Sequence, residues 1–439
     1  MDRSDIIIIG GGPGGYETAI EAAARGLKVT LFERDALGGT CLNRGCIPTK
    51  ALCRSAEVLA TVAEAAAYGV DTSGVKPDYA RAHARMEEVV AMLRDGVKAS
   101  LSAVTIVNAE ARLTAENTVE ADGLIYEASR IIIATGSRPA PLPIPGADLA
   151  IDSDTLLKLT ELPASMVIIG GGVIGMEFAS VLNTFGVDVT VVEYCKEILP
   201  PFDPDIAKRL RSQLSRRGIK FILSAAVTAI NPCDGGKAVT YTGKKGEASV
   251  TAETVLMATG RHPVMPEGLE EAGVEFTPKG IWTDDRMMTS TEGIYAIGDV
   301  NGRCMLAHAA TAQGRVALGD NINLDIVPSA VFTRPEAAMV GLTQAQAIER
   351  YESVETRTVQ YGTSGKAVAM GEAVGVVKML MLPESRKIVG CSILGAHASD
   401  LIGEVALAMN AGLSADAVAD TIHAHPTLGE LVMNACKDA

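Results

Sequence analysis

Two stretches of the chain share one pattern of apolar and polar positions. Each begins with a short apolar run, passes through three spaced glycines into a segment with helical periodicity, and ends in a second apolar run closed by a glutamate. They occupy residues 5–33 and 166–193, and their landmarks repeat at an offset of 160 positions. Strand, glycine turn, helix and strand in this order predict a βαβ unit. Because chance is a poor explanation for one shared offset, the sequence predicts two nucleotide-binding units.

The spacing of the glycines indicates what each unit binds. They follow the GxGxxG pattern and are Gly10, Gly12 and Gly15 in the first unit and Gly170, Gly172 and Gly175 in the second. Such glycines permit a tight turn, the approach of the backbone to a pyrophosphate and close helix packing, and the helix N-terminus offers free amides to phosphates. One such motif alone is weak evidence, because many strand-to-helix corners look similar. Its repetition predicts two dinucleotide sites.

A glutamate closes the second strand of each unit. Glu33 and Glu193 fall where a carboxylate can accept hydrogen bonds from a ribose diol. A 2′-phosphate would be repelled by Glu193, so NAD(H) is preferred over NADP(H) at the second site.

Three further segments suggest short buried strands. Residues 130–136 and 254–260 both end in Ala-Thr-Gly, as expected where each nucleotide domain closes its sheet. Residues 291–299 end in Gly-Asp, where Asp299 either bonds the ribityl hydroxyls of a flavin or only forms a turn. From about residue 327 the pattern changes to alternating strands and an Ala-rich helix over residues 400–411.

Composition narrows the class of protein. The hydrophobic share is 48%, aromatics make up only 4%, and there are 44 glycines, a combination typical of buried parallel strands joined by tight turns. A net charge of −14 without a long basic run argues against nucleic acid or an anionic membrane as the main partner. The apolar run Ile6 to Ile9 is too short to cross a bilayer, and no basic leader precedes it, so a cytoplasmic protein is expected.

Cys41 and Cys46 are the one closely spaced pair among eight cysteines. Beside a predicted nucleotide site, two thiols in a small loop can form a disulfide that opens and closes during turnover. A metal site would need further ligands that the neighbourhood does not supply, so no metal is predicted. A helix is predicted from Ala51, and Cys46 near its start would gain thiolate character from the helix dipole and from Lys50.

A histidine and a glutamate near the C-terminus suggest a base. His425 and Glu430 can form a pair in which the carboxylate fixes the tautomer and raises the basicity of the imidazole. Thr427 and Glu430 also fit a capping box that opens the last helix. The spacing alone leaves both interpretations open.

Residues 39–50 resemble the redox-disulfide signature of the pyridine nucleotide-disulfide oxidoreductases, and the order of motifs agrees with that family along the whole chain. The resemblance implies that Cys41 faces the substrate and that Cys46 is the charge-transfer thiol against the flavin. It also implies that Lys50 lies by the reactive edge of the flavin ring and pairs with Glu177.

The resemblance extends to the C-terminal segment. It implies that His425 is the acid/base and Glu430 its partner, and that this base reaches the disulfide of the other subunit in a homodimer. Gly429 stands where the family usually has serine, which puts the local helix geometry in question. The cofactors implied are FAD and NAD, with these further binding residues: Gly39, Thr40, Lys50, Ala111, Thr135, Gly136, Gly260, Asp299, Leu306 and Ala307.

The predicted fold class is α/β, with two Rossmann-like dinucleotide-binding domains and a C-terminal α+β dimerisation domain. The expected regions are an FAD domain (1–145), an NAD domain (146–262), a central segment that returns to the FAD domain (263–327) and an interface domain (328–439).

The expected function is oxidation of protein-bound dihydrolipoamide through the Cys41–Cys46 disulfide and FAD, with reduction of NAD⁺. The expected partner is the lipoylated carrier of a 2-oxoacid dehydrogenase or glycine-cleavage complex. Another disulfide reductase, or a mainly docked component of such a complex, is the alternative. Mercuric reduction is disfavoured because the C-terminus lacks a vicinal cysteine pair. Glutathione reduction is disfavoured by Glu193 and by the presence of Leu428 and Gly429 in the histidine motif.

Overall fold

The computed structural model describes residues 2–438. Its strands are, in chain order, β1 (Asp2–Ile9), β2 (Val29–Phe32), β3 (Thr105–Val107), β4 (Arg112–Ala115), β5 (Thr118–Ala121), β6 (Leu124–Ile133), β7 (Ser137–Pro139), β8 (Ser165–Ile169), β9 (Asp188–Glu193), β10 (Lys220–Leu223), β11 (Ala226–Cys233), β12 (Gly236–Gly243), β13 (Gly246–Ala252), β14 (Thr254–Met257), β15 (Arg261–Pro263), β16 (Phe276–Thr277), β17 (Gly280–Ile281), β18 (Ile294–Ala296), β19 (Ser329–Val331), β20 (Glu336–Gly341), β21 (Glu355–Gln360), β22 (Val376–Met381) and β23 (Ile388–Gly395).

The α-helices are α1 (Pro13–Ala24), α2 (Gly39–Arg44), α3 (Cys46–Ala63), α4 (Tyr79–Ser100), α5 (Ser153–Leu156), α6 (Val173–Thr184), α7 (Pro204–Arg216), α8 (Ala307–Ala317), α9 (Gln344–Arg350), α10 (Gly365–Ala369), α11 (Ala398–Asn410), α12 (Ala415–Ala419) and α13 (Gly429–Cys436). Within residues 2–438, none of the helices is both long and apolar enough to cross a membrane.

The first sheet has the strand order β3-β2-β1-β6-β5-β4, with β18 added beside β6. Strand β1 lies in its centre, parallel to β2 and β6, and its residues Ile6 to Ile9 are buried. A strand covered on both faces needs a continuous apolar run, which explains the unbroken isoleucines. Strand β18 pairs in parallel with β6, Ile294 opposite Ile131, so a segment far along the chain completes this sheet.

The second sheet has the order β10-β9-β8-β14 and is parallel throughout. An antiparallel meander, β11-β12-β13, accompanies it. The first helix of this second nucleotide region, α6, begins 160 residues after α1. Both helices directly follow a glycine loop. The helix and loop therefore keep the offset that the sequence pattern shows.

Close packing of helix on strand explains the third glycine of each loop. A Cβ on Gly15 would lie 1.8 Å from the carbonyl oxygen of Gly10, and one on Gly175 would lie 2.1 Å from that of Gly170. Gly10 and Gly170 both have a φ of 110°, a backbone conformation that side chains disfavour. Steric contact therefore requires glycine at these positions.

The C-terminal sheet is antiparallel in the order β19-β20-β23-β22-β21 and packs against α11 and α13. A buried ion pair joins it to the second nucleotide region. Lys378 Nζ on β22 lies 2.9 Å from Asp203 Oδ1 and 2.8 Å from Asp205 Oδ1 at the start of α7. The side chains of Lys378 and Asp203 are 5% and 4% exposed, so these charges depend on each other.

One predicted helix boundary is wrong. The helix expected from Ala51 begins at Cys46. Pro48 lies in its first turn, where the missing N–H has no intrahelical partner to lose. The proline therefore does not delay the helix, and Cys46 becomes its first residue. The boundaries of the four predicted regions stay predictions.

We expect Gly175→Ala to lower the melting temperature by several degrees, because its Cβ would meet the carbonyl of Gly170. Overpacking of this kind costs about 1–3 kcal/mol, and about 1 kcal/mol shifts the melting temperature of such a domain by roughly 2–4 °C. Thermal denaturation measures it. Gly172→Ala is the matched control, since nothing lies within 4 Å of a Cβ there. Equal melting temperatures for the two variants would contradict the steric explanation.

Candidate active site

A cavity of about 2150 Å³ joins the two glycine loops to the cysteine pair. Most of the residues singled out from the sequence line it: Gly10, Gly12, Glu33, Gly39, Thr40, Cys41, Cys46, Lys50, Thr135, Gly136, Gly170, Gly172, Glu177, Glu193, Gly260, Asp299, Leu306 and Ala307. Ala111 lines a smaller adjoining cavity of about 80 Å³, which it shares with Gly10 and Glu33. Gly15 and Gly175 support the loops from behind. His425 and Glu430 lie outside both cavity walls.

The two strand-terminal glutamates make equivalent contacts. Glu33 accepts hydrogen bonds from the amides of Gly11 and Asp35, both at 2.8 Å. Glu193 accepts from the amide of Gly171 and, at 2.6 Å, from that of Cys195. Each carboxylate is therefore fixed against its own glycine loop, and each oxygen keeps a lone pair for a further donor.

The glycines leave space where a dinucleotide would pass. A Cβ on Gly12 would meet only the Cα of Gly39, at 3.9 Å, and nothing lies within 4 Å of one on Gly172. Gly136 and Gly260, both with positive φ, also face open space. Each loop therefore forms a concave backbone surface without side chains at the N-terminus of a helix. The two surfaces fit the pyrophosphates of two dinucleotides.

The cysteine pair spans the junction of α2 and α3. The thiol of Cys41 donates a hydrogen bond to the sulfur of Cys46, and this bond is the main reason that the pKa of Cys46 falls to about 7. Burial opposes the shift, and the cationic Lys50 supports it. The same hydrogen bond, together with burial, raises the pKa of Cys41. In the dithiol state the proton therefore stays on Cys41 and the negative charge resides on Cys46.

Lys50 joins α3 to the helix of the second glycine motif. Its Nζ lies 2.9 Å from both carboxylate oxygens of Glu177 on α6, and it lies over the ring of Phe332 at 4.4 Å from the centroid. The amide of Phe332 donates to Glu177 at 3.0 Å. Burial opposes the charge on Lys50, but Glu177 more than compensates and raises the pKa of the lysine. Both charges therefore persist beside the two sulfurs.

Asp299 is held by a network that sequence reasoning missed. Its carboxylate accepts from the hydroxyl of Ser137, and that hydroxyl accepts from Arg261 Nε at 2.7 Å. Arg261 also donates to the carbonyl of Ser137 at 2.7 Å. Since a guanidinium only donates, it turns the hydroxyl hydrogen of Ser137 towards Asp299. The sequence position of these two residues could have indicated the network, because Ser137 and Arg261 each directly follow one of the two Ala-Thr-Gly segments.

His425 and Glu430 are in contact at the surface of the chain. His425 Nδ1 lies 2.9 Å from Glu430 Oε1, and the His425 side chain is 79% exposed. Glu430 Oε2 accepts from the amide of Thr427 at 3.0 Å. The carboxylate thus contacts the histidine and also accepts from the backbone of Thr427. The predicted capping box does not form, because the hydroxyl of Thr427 donates to the carbonyl of Ala424 and the N-cap of the last helix is Leu428. Helix α13 begins at Gly429, and the contact forms without a serine there.

Most of the chain matches a known protein family. Residues 4–314 match the family described as pyridine nucleotide-disulphide oxidoreductase, and residues 327–436 match its dimerisation domain. The chain belongs to this family. The predicted fold class is confirmed, and the chain is an FAD-dependent, NAD-linked disulfide oxidoreductase that carries the family's dimerisation domain.

Several curated relatives are similar over their whole length, and all are dihydrolipoyl dehydrogenases. The protein from Chlamydia muridarum is 39% identical, covering 97% of this chain and 95% of the relative. Those from Staphylococcus aureus and Bacillus subtilis are 37% and 36% identical, covering 100% and 98% of this chain and 97% of each relative. Among solved structures, the HOCl-induced flavoprotein disulfide reductase RclA from Escherichia coli aligns with a TM-score of 0.87 at 30% identity, covering 98% of both chains.

We expect opposite pKa changes at Cys46 when either member of the Lys50–Glu177 pair is neutralised. Lys50→Met should raise the pKa of Cys46 above about 7, because the cation that stabilises the thiolate is lost. Glu177→Gln should lower it, since the anion that opposes the thiolate is removed. The pH dependence of thiolate absorbance in the dithiol form measures both.

The control is Lys220→Met, which removes an exposed lysine paired with Asp188. A shift of the same sign in the Lys50 and Glu177 variants would show that the pair does not act on Cys46 through its charges.

Proposed function

We propose that this chain oxidises protein-bound dihydrolipoamide to lipoamide and passes the two electrons to NAD⁺. One observation carries the proposal: an electrostatically biased cysteine pair lies in one cavity with both glycine loops. When bound, FAD and NAD⁺ supply the electron acceptors at this site. The identity of the substrate is supported by full-length relatives named dihydrolipoyl dehydrogenase, which are more similar in sequence than RclA.

The residues of the chain divide the chemistry as follows. His425 takes the proton of one substrate thiol, because a thiol of pKa near 8.5 is mostly protonated at neutral pH. The resulting thiolate attacks Cys41 in the oxidised pair, a mixed disulfide forms, and Cys46 leaves as a thiolate. The second substrate sulfur then attacks the mixed disulfide, which closes the lipoamide ring. The second substrate thiol gives up its proton to solvent as it attacks, and Cys41 leaves with the proton returned by His425.

The asymmetry of the cysteine pair suits these roles. A leaving thiol of low pKa departs faster, and the pKa of Cys46 is lowered to about 7. Its negative charge is retained by Lys50, which Glu177 anchors. Cys41, whose pKa is raised, ends the half-reaction as a neutral thiol.

We propose that the base and the cysteine pair of one active site come from different subunits. Cys41 lines the cavity, whereas the exposed His425 lies outside it. The match of residues 327–436 to a dimerisation domain supports a homodimer in which His425 of each subunit completes the cavity of the other.

The partner would be the lipoylated carrier of a 2-oxoacid dehydrogenase or glycine-cleavage complex, and the compartment would be the cytoplasm. The eight cysteines are scattered along the chain rather than spaced as a structural disulfide framework, which is typical of a reducing compartment. Purified protein should be yellow and should reduce NAD⁺ with dihydrolipoamide. A colourless protein, or one that turns over only glutathione with NADPH, would reject the assignment.

We expect His425→Gln to lower dihydrolipoamide oxidation by roughly 10²–10⁴-fold, the usual contribution of a general base. Flavin absorbance should be unchanged, because His425 lies outside the cavity. Steady-state kinetics and visible spectra measure the two effects. The control is His397→Asn, which removes another exposed histidine beside a carboxylate, Asp400 at 3.3 Å. Near-normal turnover in His425→Gln would remove it from the mechanism.

We expect two inactive variants to restore activity in a mixed dimer. In a heterodimer of Cys41→Ser and His425→Gln subunits, one site combines both substitutions and the other is intact. The heterodimer purified on both tags should therefore show about half of wild-type activity, since one of its two sites works. The measurement is activity after co-expression of differently tagged subunits and purification on both tags. No recovery would contradict a shared site.

A further inference from the structure

His423 is a second histidine in the C-terminal segment, two positions before His425, and its side chain is only 10% exposed. Its Nδ1 lies 2.8 Å from the carbonyl oxygen of Thr421. Its Nε2 lies 2.7 Å from Glu404 Oε1 on α11. Both ring nitrogens therefore face an oxygen at hydrogen-bond distance.

The two partners determine how many protons the ring carries. A carbonyl oxygen and a carboxylate oxygen accept hydrogen bonds and do not donate them. A neutral imidazole has only one N–H, so one of its nitrogens would direct a lone pair at an acceptor. The imidazolium form satisfies both contacts. Burial opposes the charge, but the Thr421 carbonyl and the carboxylate of Glu404 prevail and raise the pKa of His423.

The ring also lies against the start of α13, where the proposed dyad is built. A Cβ on Gly429 would be 3.4 Å from His423 Cδ2, and Glu430 is the next residue. The charge of His423 helps to lower the pKa of Glu430, after the hydrogen bonds from His425 and Thr427. The charged groups that face His423 are therefore Glu404 from α11 and Glu430 from α13.

We propose that His423 is held as an imidazolium cation at neutral pH and acts as a positioning residue, keeping Glu430 ionised and His425 in its neutral, proton-accepting form. An ionised Glu430 accepts from His425 Nδ1 and leaves the other ring nitrogen free for the substrate thiol. A neighbouring cation also disfavours a second positive charge on His425. The inference rests on the proposed role of His425 as the base.

The charge state can be measured without any assay of activity. The chain has six histidines, so ring-labelled holoenzyme gives a small set of NMR signals, and His423→Asn identifies the relevant one. We expect the His423 signal to keep its imidazolium position throughout neutral pH. In Glu404→Gln the amide can donate to Nε2 of a neutral ring, so the signal should titrate near the ordinary value of about 6.5. A neutral His423 in the wild-type enzyme at pH 7 would overturn the inference.

The effect on the dyad is read from the pH profile of kcat/KM for dihydrolipoamide. Loss of the cation should make a positive charge on His425 less unfavourable, so the acid limb should move to higher pH. His423→Asn removes the cation but leaves the Glu404 anion in place. The shift of the acid limb in this variant should therefore be at least as large as the shift in Glu404→Gln. His397→Asn should leave the limb unmoved.

The outcomes separate the two proposals. A uniform loss of activity without movement of the limb would mean that His423 has only a structural role, which overturns the inference. A wild-type enzyme that does not oxidise dihydrolipoamide would reject the proposed function, while the NMR titration would still decide the charge of His423.

Discussion

The ion pair between Lys50 and Glu177 is the contact at which the main parts of the molecule meet. Lys50 comes from the helix that begins with Cys46, and Glu177 from the helix of the second glycine motif. The amide of Phe332, at the edge of the C-terminal region, binds the same carboxylate. Because Glu177 is buried, it requires a cation, and this requirement places a positive charge beside the sulfurs. One electrostatic constraint thus aligns the cysteine pair with the second nucleotide site.

Hydrogen bonding then distributes protons unequally in groups that look equivalent in the sequence. Two thiols separated by four residues acquire opposite pKa shifts, since one donates to the other. Two histidines separated by one residue differ in burial and in partners: His423 lies between two acceptors, whereas His425 has one carboxylate and an exposed ring. In both pairs the surrounding groups, not the residue type, assign the role.

Much of the site was predictable because it is encoded locally. The offset of 160 positions locates both glycine loops. Gly15 and Gly175 are each required by a contact with a residue only five positions earlier, Gly10 and Gly170. The contacts that were missed join distant segments: Arg261 reaches Ser137 across 124 residues, and Glu404 reaches His423 across 19. The start of α3 at Cys46 was missed for a local reason, since Pro48 indicates a helix break unless its place in the first turn is known.

The buried contact of Lys378 with Asp203 ties the second nucleotide region to the C-terminal sheet. A hinge opening between the second nucleotide region and the C-terminal sheet would separate the lysine from Asp203 and Asp205, and water would reach the charges as they part. The contact therefore favours a fixed orientation of the two regions, because the separated charges would lose their mutual attraction.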